Sequence, residues 1–243
     1  MPQRIDQYLS HRGFGSRTEV KHLIARGRVR LDGKRILDPG FHLTEGLVTV
    51  DRHEVPMGIS EATLIFHKPL GYACSTDPRE EPLVESLIPP PYNTIGVNPA
   101  GRLDRDTSGL LILTTDGGLI HRLTSPKAAK PKRYRISYRG TLSSQAVSRV
   151  EKGLKLEDDP DACRPAQLIL EGPEPTRPEC SLATLILTEG RYHQVRRMIA
   201  ELGGEVVRLH RDRIGTLDLP TDLLAGTMRE ITAEELVQLS AKG

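Results

Sequence analysis

Residues 101–117 have the sequence Gly-Arg-Leu-Asp-Arg-Asp-Thr-Ser-Gly-Leu-Leu-Ile-Leu-Thr-Thr-Asp-Gly, which joins a charged turn directly to an apolar run. The run at 110–115 predicts a short buried strand, and the Asp-Gly pair that follows is typical of a turn or a helix start. We therefore expect Asp104 in a loop or strand end that enters a sheet. Arg102 and Arg105 flank it, and nearby cations favour the charged form of a carboxylate. An ionised Asp104 can act as nucleophile or base, although such a cluster taken alone is more simply a solvated ion-pair loop.

The whole string resembles the central motif of the pseudouridine synthases, which is Gly-Arg-Leu-Asp-x-Asp-Thr-x-Gly-Leu-Leu-x-Leu-Thr-x-Asp-Gly in this chain. The resemblance extends over nearly the entire sequence and is greatest to the branch that modifies small-subunit ribosomal RNA. It implies that Asp104 is the catalytic aspartate of an RNA isomerase. The chemistry of that family requires no metal and no other cofactor.

Composition is consistent with such an enzyme but does not identify one. A chain of 243 residues is long enough for one large domain and a small one. Its three cysteines lack Cys-x-x-Cys spacing, which argues against a disulfide framework or a zinc site and fits a reducing cytoplasm. There is no leader-like start at Met1, and the apolar runs are far shorter than a membrane span. We therefore expect a cytoplasmic protein with no membrane partner.

Positive charge is concentrated at the start of the chain. The first forty residues contain nine Lys or Arg against four Asp or Glu, whereas the whole chain has a net charge of +2. Two short helices, the second capped by Ser16, precede strands that alternate around the turn at 32–33. This arrangement resembles the S4 RNA-binding module, although cations can also simply solvate a small domain. The resemblance implies phosphate contacts from six residues: Arg12, Arg17, Lys21, Arg26, Arg28 and Lys34.

These observations predict an S4 domain at 1–55, a linker at 56–61 and a pseudouridine synthase catalytic domain at 62–243. The expected fold is α+β, with a mixed, mostly antiparallel sheet and the site in a central cleft. A strand ending near His67 begins the second domain; His67 stands where Asn is common in the family, a change that we expect to be tolerated. Short connections suggest a monomer.

A basic run ends in Lys132-Arg133-Tyr134. By resemblance, the tyrosine stacks on the target base while Lys132 and Arg133 contact RNA. Stacking is worth about 1–3 kcal/mol per base, enough to hold an extruded uracil. The competing interpretation is that Tyr134 begins a strand and packs inward.

A further motif spans residues 189–198, where a strand gives way to a helix. The resemblance implies that an arginine here pairs with Asp104, and we assign that role to Arg196, with Arg197 as the alternative. The acidic turn at 157–161 is interpreted as solvated. After a strand that starts near 206, a basic turn offers phosphate contacts, with simple solvation as the alternative; its cations are Arg208, Arg211 and Arg213.

The resemblance implies isomerisation of a uridine in 16S ribosomal RNA, within a partly assembled small subunit, with Arg102 filling the space that the flipped base vacates. Three alternatives remain: a synthase acting on 23S ribosomal RNA, a noncatalytic S4 RNA-binding or ribosome assembly protein, and a carboxylate enzyme cleaving another glycosidic bond. The last of these usually needs a second carboxylate opposite the first.

Overall fold

The structure is a computed structural model that describes residues 3–10, 12, 14–55, 61–93, 95–157 and 159–241. The chain divides into two compact units, Met1–Ala62 with Ile88–Asn98, and Thr63–Leu87 with Pro99–Gly243. The linker expected at 56–61 lies outside the described residues apart from Glu61. Within the described ranges, no helix is both long and apolar enough to cross a bilayer.

The first unit combines two helices with short antiparallel strands. Its elements are β1 (Gln3–Arg4), α1 (Ile5–Ser10), α2 (Arg17–Ala25), β2 (Val29–Leu31), β3 (Lys34–Arg35), β4 (His42–Leu43), β5 (Val48–Val50) and β6 (His53–Val55). The strands form a sheet in the order β3-β2-β5-β6, with β1 and β4 paired separately. Apolar side chains of both helices and of the sheet enclose one core, which includes Ile5, Leu9, Val20 and Val48.

Local sequence explains the ends of these elements. Ser16 caps α2 in a capping box with Glu19, each side chain accepting a hydrogen bond from the other residue's backbone N–H. Asp32 and Gly33 turn the chain between β2 and β3 with φ of 49° and 78°. Two consecutive positive φ values characterise the hairpin turn that an Asp-Gly pair favours. The expected cap and turn are both present.

The second unit is built around one large sheet. Its strands are β7 (Thr63–Lys68), β8 (Asn98–Pro99), β9 (Thr107–Thr114), β10 (Lys132–Gly140), β11 (Gln167–Glu174), β12 (Arg177–Leu187), β13 (Gly204–Ile214), β14 (Leu217–Asp218) and β15 (Met228–Glu230). Its helices are α3 (Gly117–Thr124), α4 (Ala146–Lys152), α5 (Gln194–Glu201) and α6 (Ala233–Ser240), with 3-10 turns at Pro78–Glu80, Val84–Leu87 and Pro126–Ala128.

The strands lie in the order β11-β12-β10-β13-β9-β7-β15, with β14 beside β13 and β8 beside β9. The β9–β13 pair is parallel, and the other pairs in that order are antiparallel. The expected α+β fold with a mixed, mostly antiparallel sheet is confirmed. Leu110, Leu111, Ile112 and Leu113 of β9 are fully buried, since both faces of this central strand are covered.

Gly109 permits the close approach of β9 to β13. Its φ is +117°, and a Cβ atom there would lie 2.1 Å from the backbone oxygen of Arg211. Only glycine tolerates both the dihedral angle and the separation. The glycine in the middle of the central motif therefore has a structural reason that involves the far end of the chain.

One expected element differs from the structure. The basic turn predicted after residue 206 is strand, because β13 continues to Ile214 and pairs with β10 over most of its length. Inward-facing Leu209 and Ile214 are buried and keep the segment in the sheet. The cations of this segment consequently belong to two sheet faces rather than to one exposed turn.

Candidate active site

A cleft of about 900 Å³ opens in the second unit. It lies along β10 and β13 and is bordered by the loop before β9 and the loop before α5. Several residues singled out from the sequence line it together: Arg102, Asp104, Lys132, Tyr134, Arg196 and Arg211. Residues far apart in the chain are thus brought to one concave surface, which is the usual form of a binding or catalytic site.

Asp104 lies in the loop directly before β9, as its sequence context predicted. The loop turns back on itself, since the Thr107 N–H donates to the Asp104 carbonyl oxygen at 3.0 Å. Lys68 is fully buried, and its Nζ donates to the carbonyl oxygens of Pro69, Asp104 and Thr107 at 3.0, 3.0 and 2.8 Å. Burial lowers the pKa of this lysine. Sequence reasoning missed Lys68, although a lysine at the end of an apolar strand was a signal.

The Asp104 carboxylate is 38% exposed and its Oδ1 lies 3.7 Å from Nε2 of His193. His193 stands at the start of α5 with a left-handed φ of 46°, and its ring stacks on Tyr192 at 3.9 Å. A left-handed non-glycine residue is strained, and such strain often accompanies functional sites. Sequence reasoning gave His193 only a loop-shaping role, yet the structure places its ring within 3.7 Å of the Asp104 carboxylate.

Arg196 and Arg197 were expected to provide the ion-pair partner of Asp104; in the structure Arg196 contacts the neighbouring Asp106, and the pairing with Asp104 stays a prediction. Arg196 Nη2 lies 2.7 Å from the carboxylate of Asp106 and 3.0 Å from its carbonyl oxygen. Its other guanidinium nitrogen Nη1 donates to the Val206 carbonyl oxygen at 3.2 Å. Arg196, in the first turn of α5, therefore contacts the loop that contains Asp104, but at Asp106, two residues after it. It supports the loop without occupying the Asp104 carboxylate.

Arg197 belongs to a different network, centred on Asp159. The two Asp159 oxygens lie 2.7 Å from Arg197 and 3.0 Å from Arg191. These hydrogen bonds lower the pKa of the Asp159 carboxyl. The acidic turn predicted to be solvated is instead tied to the motif at 189–198, because two of the three arginines of that motif, Arg191 and Arg197, bind Asp159.

Tyr134 lies near the start of a strand and packs inward, as one of its two interpretations predicted, because it is buried in β10. It also lines the cleft, and its stacking on a base stays a prediction. Lys132, two residues earlier on the same strand, lines the cleft as well. Burial, followed by the nearby charges of Arg211 and Lys130, lowers the pKa of Lys132 to about 8. An amine expected on the surface for phosphate contact is therefore largely withdrawn from water.

Arg211 is the largest correction among the expected RNA contacts, because it is only 2% exposed. Its Nε donates to the Leu110 carbonyl oxygen at 2.9 Å, while its Nη2 has no hydrogen-bond partner. Within the described part of the chain, the other buried side-chain polar atoms without a partner are Thr107 Oγ1 and Arg196 Nε. All three residues line the cleft. Buried polar atoms rarely stay unpaired unless a ligand or water completes them.

The other expected contacts of β10 and β13 have carboxylate partners within the unit. Arg133 bonds Asp212 at 2.7 Å and Asp218 at 2.9 Å, and Arg213 bonds Asp218 at 2.6 Å. Arg208 pairs with the buried Glu174. Because these guanidinium groups lie on the sheet beside acidic residues, they are less available to phosphate than the sequence suggested.

The cations of the first unit also differ in whether they already have a partner within the protein. Arg28 is bonded through Nε to Asp51 at 2.8 Å, and Arg12 lies over the Tyr8 ring at 3.8 Å. The remaining four are exposed side chains on α2, directly after it, or at the start of β3: Arg17, Lys21, Arg26 and Lys34.

His67 lies in β7 with its Nδ1 2.8 Å from the Leu223 carbonyl oxygen. Its ring meets His210 edge-on at 5.5 Å, and His210 Nδ1 lies 2.9 Å from Ser108 Oγ. Burial lowers the pKa of His210. The His210 ring is thus held by a hydrogen bond to β9, and the His67 ring by one to the loop between β14 and β15.

In the described ranges, no group of three or more His, Cys, Asp or Glu side chains is placed to hold a metal ion. Cys74, Cys163 and Cys180 are buried free thiols, and burial raises the pKa of Cys74 and Cys163.

Two family models match the chain: RNA pseudouridylate synthase over residues 62–201 and S4 domain over residues 3–48. Ribosomal small subunit pseudouridine synthase A of Yersinia pestis is 35% identical over 98% of each chain. The Escherichia coli K12 protein of the same name is 35% identical over 97% of this chain and 99% of its own. An uncharacterised RNA pseudouridine synthase of Bacillus subtilis is 36% identical over 96% of each. A crystal structure of a pseudouridylate synthase, 29% identical, superimposes with a TM-score of 0.67 over 97% of this chain and 99% of that one.

Proposed function

This chain belongs to the RNA pseudouridine synthase family, and we propose that it isomerises a specific uridine of 16S ribosomal RNA to pseudouridine with Asp104 as the catalytic residue. The observation that carries the proposal is the position of Asp104. Its carboxylate is exposed to a deep cleft, while its backbone is fixed by Lys68 and by the turn to Thr107. A fixed loop with a free carboxylate suits a group that must meet a substrate atom.

The cleft supports a base-flipping pocket. An enzyme that acts on a base inside folded RNA must extrude it, at a cost of a few kcal/mol that the pocket has to offset. The Tyr134 ring on the sheet offers a stacking surface worth about 1–3 kcal/mol. Arg102, exposed at the border of the cleft, is placed to enter the space that the base leaves. Arg196 holds the loop between these groups by its contacts with Asp106.

In the proposed reaction, Asp104 drives cleavage of the bond between uracil N1 and ribose C1′. It does so either by attack on C1′ or by removal of a sugar proton. The detached base rotates within the pocket and its C5 bonds to C1′, which either expels the Asp104 carboxylate from C1′ or is accompanied by return of the sugar proton. A proton then leaves C5 and N1 gains one. Because the isomerisation as a whole needs no oxidant or reductant, the chain's own side chains are sufficient for the steps described.

The substrate assignment rests on the named relatives and on the first unit. Two relatives with full-length similarity are ribosomal small subunit synthases, which favours 16S over 23S ribosomal RNA. The S4 match and the exposed Arg17, Lys21, Arg26 and Lys34 provide a cationic surface for phosphate, which supplies affinity without reading the base. We infer that the RNA is presented in a partly assembled small subunit and that the enzyme acts as a cytoplasmic monomer.

The decisive experiment measures tritium release from 16S and 23S transcripts, and from a partly assembled small subunit, labelled at uracil C5. We expect release from the 16S-containing substrates with wild type and none above background with Asp104→Asn. Asp106→Asn is the matched control, because this neighbour is 61% exposed and its backbone oxygen still holds Arg196; it should retain at least about one tenth of the rate.

Each other result contradicts a defined part of the proposal. Release from 23S alone would reassign the substrate within the family. Binding without release from any substrate would indicate a noncatalytic S4 protein. Free uracil as the product would indicate hydrolysis of the glycosidic bond. Equal loss in the Asp104 and Asp106 variants would remove the special role of Asp104.

A further inference from the structure

We propose that Lys132 and Arg211 together contact the carbonyl edge of the flipped uracil and stabilise the negative charge that the base acquires when its bond to ribose breaks. This inference rests on the proposed function and assigns a role to two residues that line the same cleft. It concerns stabilisation of the leaving group, whereas Asp104 acts on the sugar.

Sheet geometry places the two cations side by side. Tyr134 of β10 lies directly opposite Arg211 of β13 in the antiparallel register, and Lys132 lies two residues before Tyr134 on the same strand. Residues two apart on a strand, and residues opposite each other on neighbouring strands, point to the same face. All three side chains line the cleft. The stacking ring and the two cations therefore form one surface.

Neither cation is fully satisfied by the described residues. Arg211 uses its Nε for the Leu110 carbonyl oxygen, and its buried Nη2 has no partner in the described part of the chain. Lys132 makes a long contact from Nζ to the Lys130 carbonyl oxygen at 3.3 Å. The charged groups that act most strongly on Lys132 are Arg211 and Lys130, both cations, which with burial bring its pKa to about 8. Two desolvated cations without a counter-charge form a site for an electron-rich group.

Depth in the cleft favours the base over a phosphate. A phosphodiester is strongly hydrated and remains attached to the RNA chain, whereas the extruded base is the part of the substrate that goes deepest. With its face against Tyr134, the uracil ring presents an edge to neighbouring positions on the same sheet surface. The donors found there, one ammonium and one guanidinium N–H, match carbonyl oxygens.

Charge flow in the reaction gives this contact a catalytic effect. When the N1–C1′ bond breaks, its electron pair stays on the base and is shared with O2 and O4. Preorganised cationic donors at those oxygens stabilise the departing anion more than the neutral uridine, so they lower the barrier. The pair is then used when C5 bonds to C1′; a proton leaves C5 and N1 gains one. No oxidant or reductant is involved.

The test uses the full-length protein and single-turnover kinetics on the RNA substrate that wild type modifies. Lys132→Met keeps the length of the side chain and removes its charge. We expect the chemical rate to fall by about 10²–10³-fold, as for loss of one oxyanion donor, with RNA affinity changed less than about threefold. Lys132→Arg should stay within about tenfold of wild type. Lys152→Met, which removes one exposed cation on α4, is the matched control and should leave the rate unchanged.

Sulfur substitution in the substrate separates leaving-group stabilisation from a structural role. Rates are compared for uridine, 2-thiouridine and 4-thiouridine at the target position, in wild type and in Lys132→Met. If Lys132 contacts a carbonyl oxygen, one thio substitution should slow wild type at least about fivefold more than it slows the variant, because sulfur is a weaker hydrogen-bond acceptor.

The outcomes distinguish this inference from the proposed function. Identical thio effects in both proteins, or a Lys132→Met rate within threefold of wild type, would overturn the contact while leaving the synthase activity intact. A loss of RNA affinity with an unchanged chemical rate would reassign Lys132 to phosphate. A wild-type protein that forms no pseudouridine in any ribosomal substrate would overturn both proposals.

Discussion

The cations of the first unit and those of the cleft carry the same charge in opposite environments. Arg17, Lys21 and Arg26 are exposed, whereas Lys132 is withdrawn from water and Arg211 is buried. Exposed cations gain affinity for any phosphate and lose it with salt, while a buried cation can act on one atom of a bound substrate. Under the proposed function, the position of a cation in the fold, more than the number of basic residues, decides whether it docks RNA or takes part in the chemistry.

The position of the buried Arg211 depends on the close packing of β9 against β13. A substitution at Gly109 is expected to disrupt this packing more than any other change considered below. Gly109→Ala puts a methyl group against the backbone of Arg211 at a positive φ. We expect a loss of about 3 kcal/mol or more in the free energy of unfolding, from strain and overpacking together. Urea denaturation would measure it.

Gly33 in the first unit is the matched control for Gly109. It also has a positive φ, of 78°, but no heavy atom lies within 4 Å of its added Cβ. Gly33→Ala should therefore cost about 1 kcal/mol, from backbone strain alone. Equal losses for the two variants would show that the contact of β9 with β13 is less restrictive than the structure indicates.

The salt dependence of RNA binding tests the role of the exposed cations of the first unit. Arg26→Ala should weaken RNA binding and reduce the slope of log affinity against log salt by about 0.7–0.9, with an unchanged single-turnover rate at saturating protein. Arg28→Ala should have a smaller effect on that slope, because Arg28 is already bonded to Asp51. Filter binding at several salt concentrations measures both. A slower chemical step in Arg26→Ala would contradict the proposal that the exposed cations of the first unit contribute only to RNA binding.

The smallest expected effect on the free energy of unfolding comes from substitutions in the two capping boxes. Ser16 with Glu19 caps α2, and Thr232 with Glu235 caps α6, but only Glu235 also receives two hydrogen bonds from Arg229, at 2.6 and 2.8 Å. These bonds lower the Glu235 pKa from 4.5 to about 2. A carboxyl whose pKa is depressed by folding stabilises the protein above its unfolded pKa, and this contribution is lost as pH falls from about 4.5 towards 2.

Glu235→Gln should therefore lower the free energy of unfolding by about 1 kcal/mol at pH 7 and by less near pH 3. Glu19→Gln should have a weaker effect at pH 7, because Glu19 is exposed and no ion pair with an arginine is found for it among the described residues. Thermal denaturation at the two pH values compares them. A Glu235→Gln effect that does not shrink at low pH would place its origin outside the Arg229 contact.

Much of the fold was predictable because its signals are local. The Ser16 cap, the turn at 32–33 and the buried run at 110–113 depend on neighbouring residues, and the structure contains each of them. The position of Asp104 in a loop before β9 followed from the same kind of pattern. The family resemblance supplied the function, which no periodicity could have indicated.

The differences from expectation share a physical cause, which is that ion pairs and burial are decided by strand neighbours distant in sequence. Arg196 was assigned to Asp104 and lies on Asp106, two residues further along the same loop. Arg211 was grouped with the exposed basic residues, because its burial depends on β9 and β10, which lie on either side of β13. Lys68 was overlooked because the carbonyl oxygens of Asp104 and Thr107 that it binds come almost forty residues later.

The parallel pairing of β9 with β13 also bears on when the protein becomes competent during synthesis. Ser108 and His210 are in contact although they are 102 residues apart, and the intervening β10, β11 and β12 can pair with one another first. Closing so long a loop is entropically costly and comes late in folding. A nascent chain that ends before Ile214 therefore contains Asp104 but lacks a complete β13, which lines the same cleft, so the proposed catalytic centre is completed only after this strand has been made.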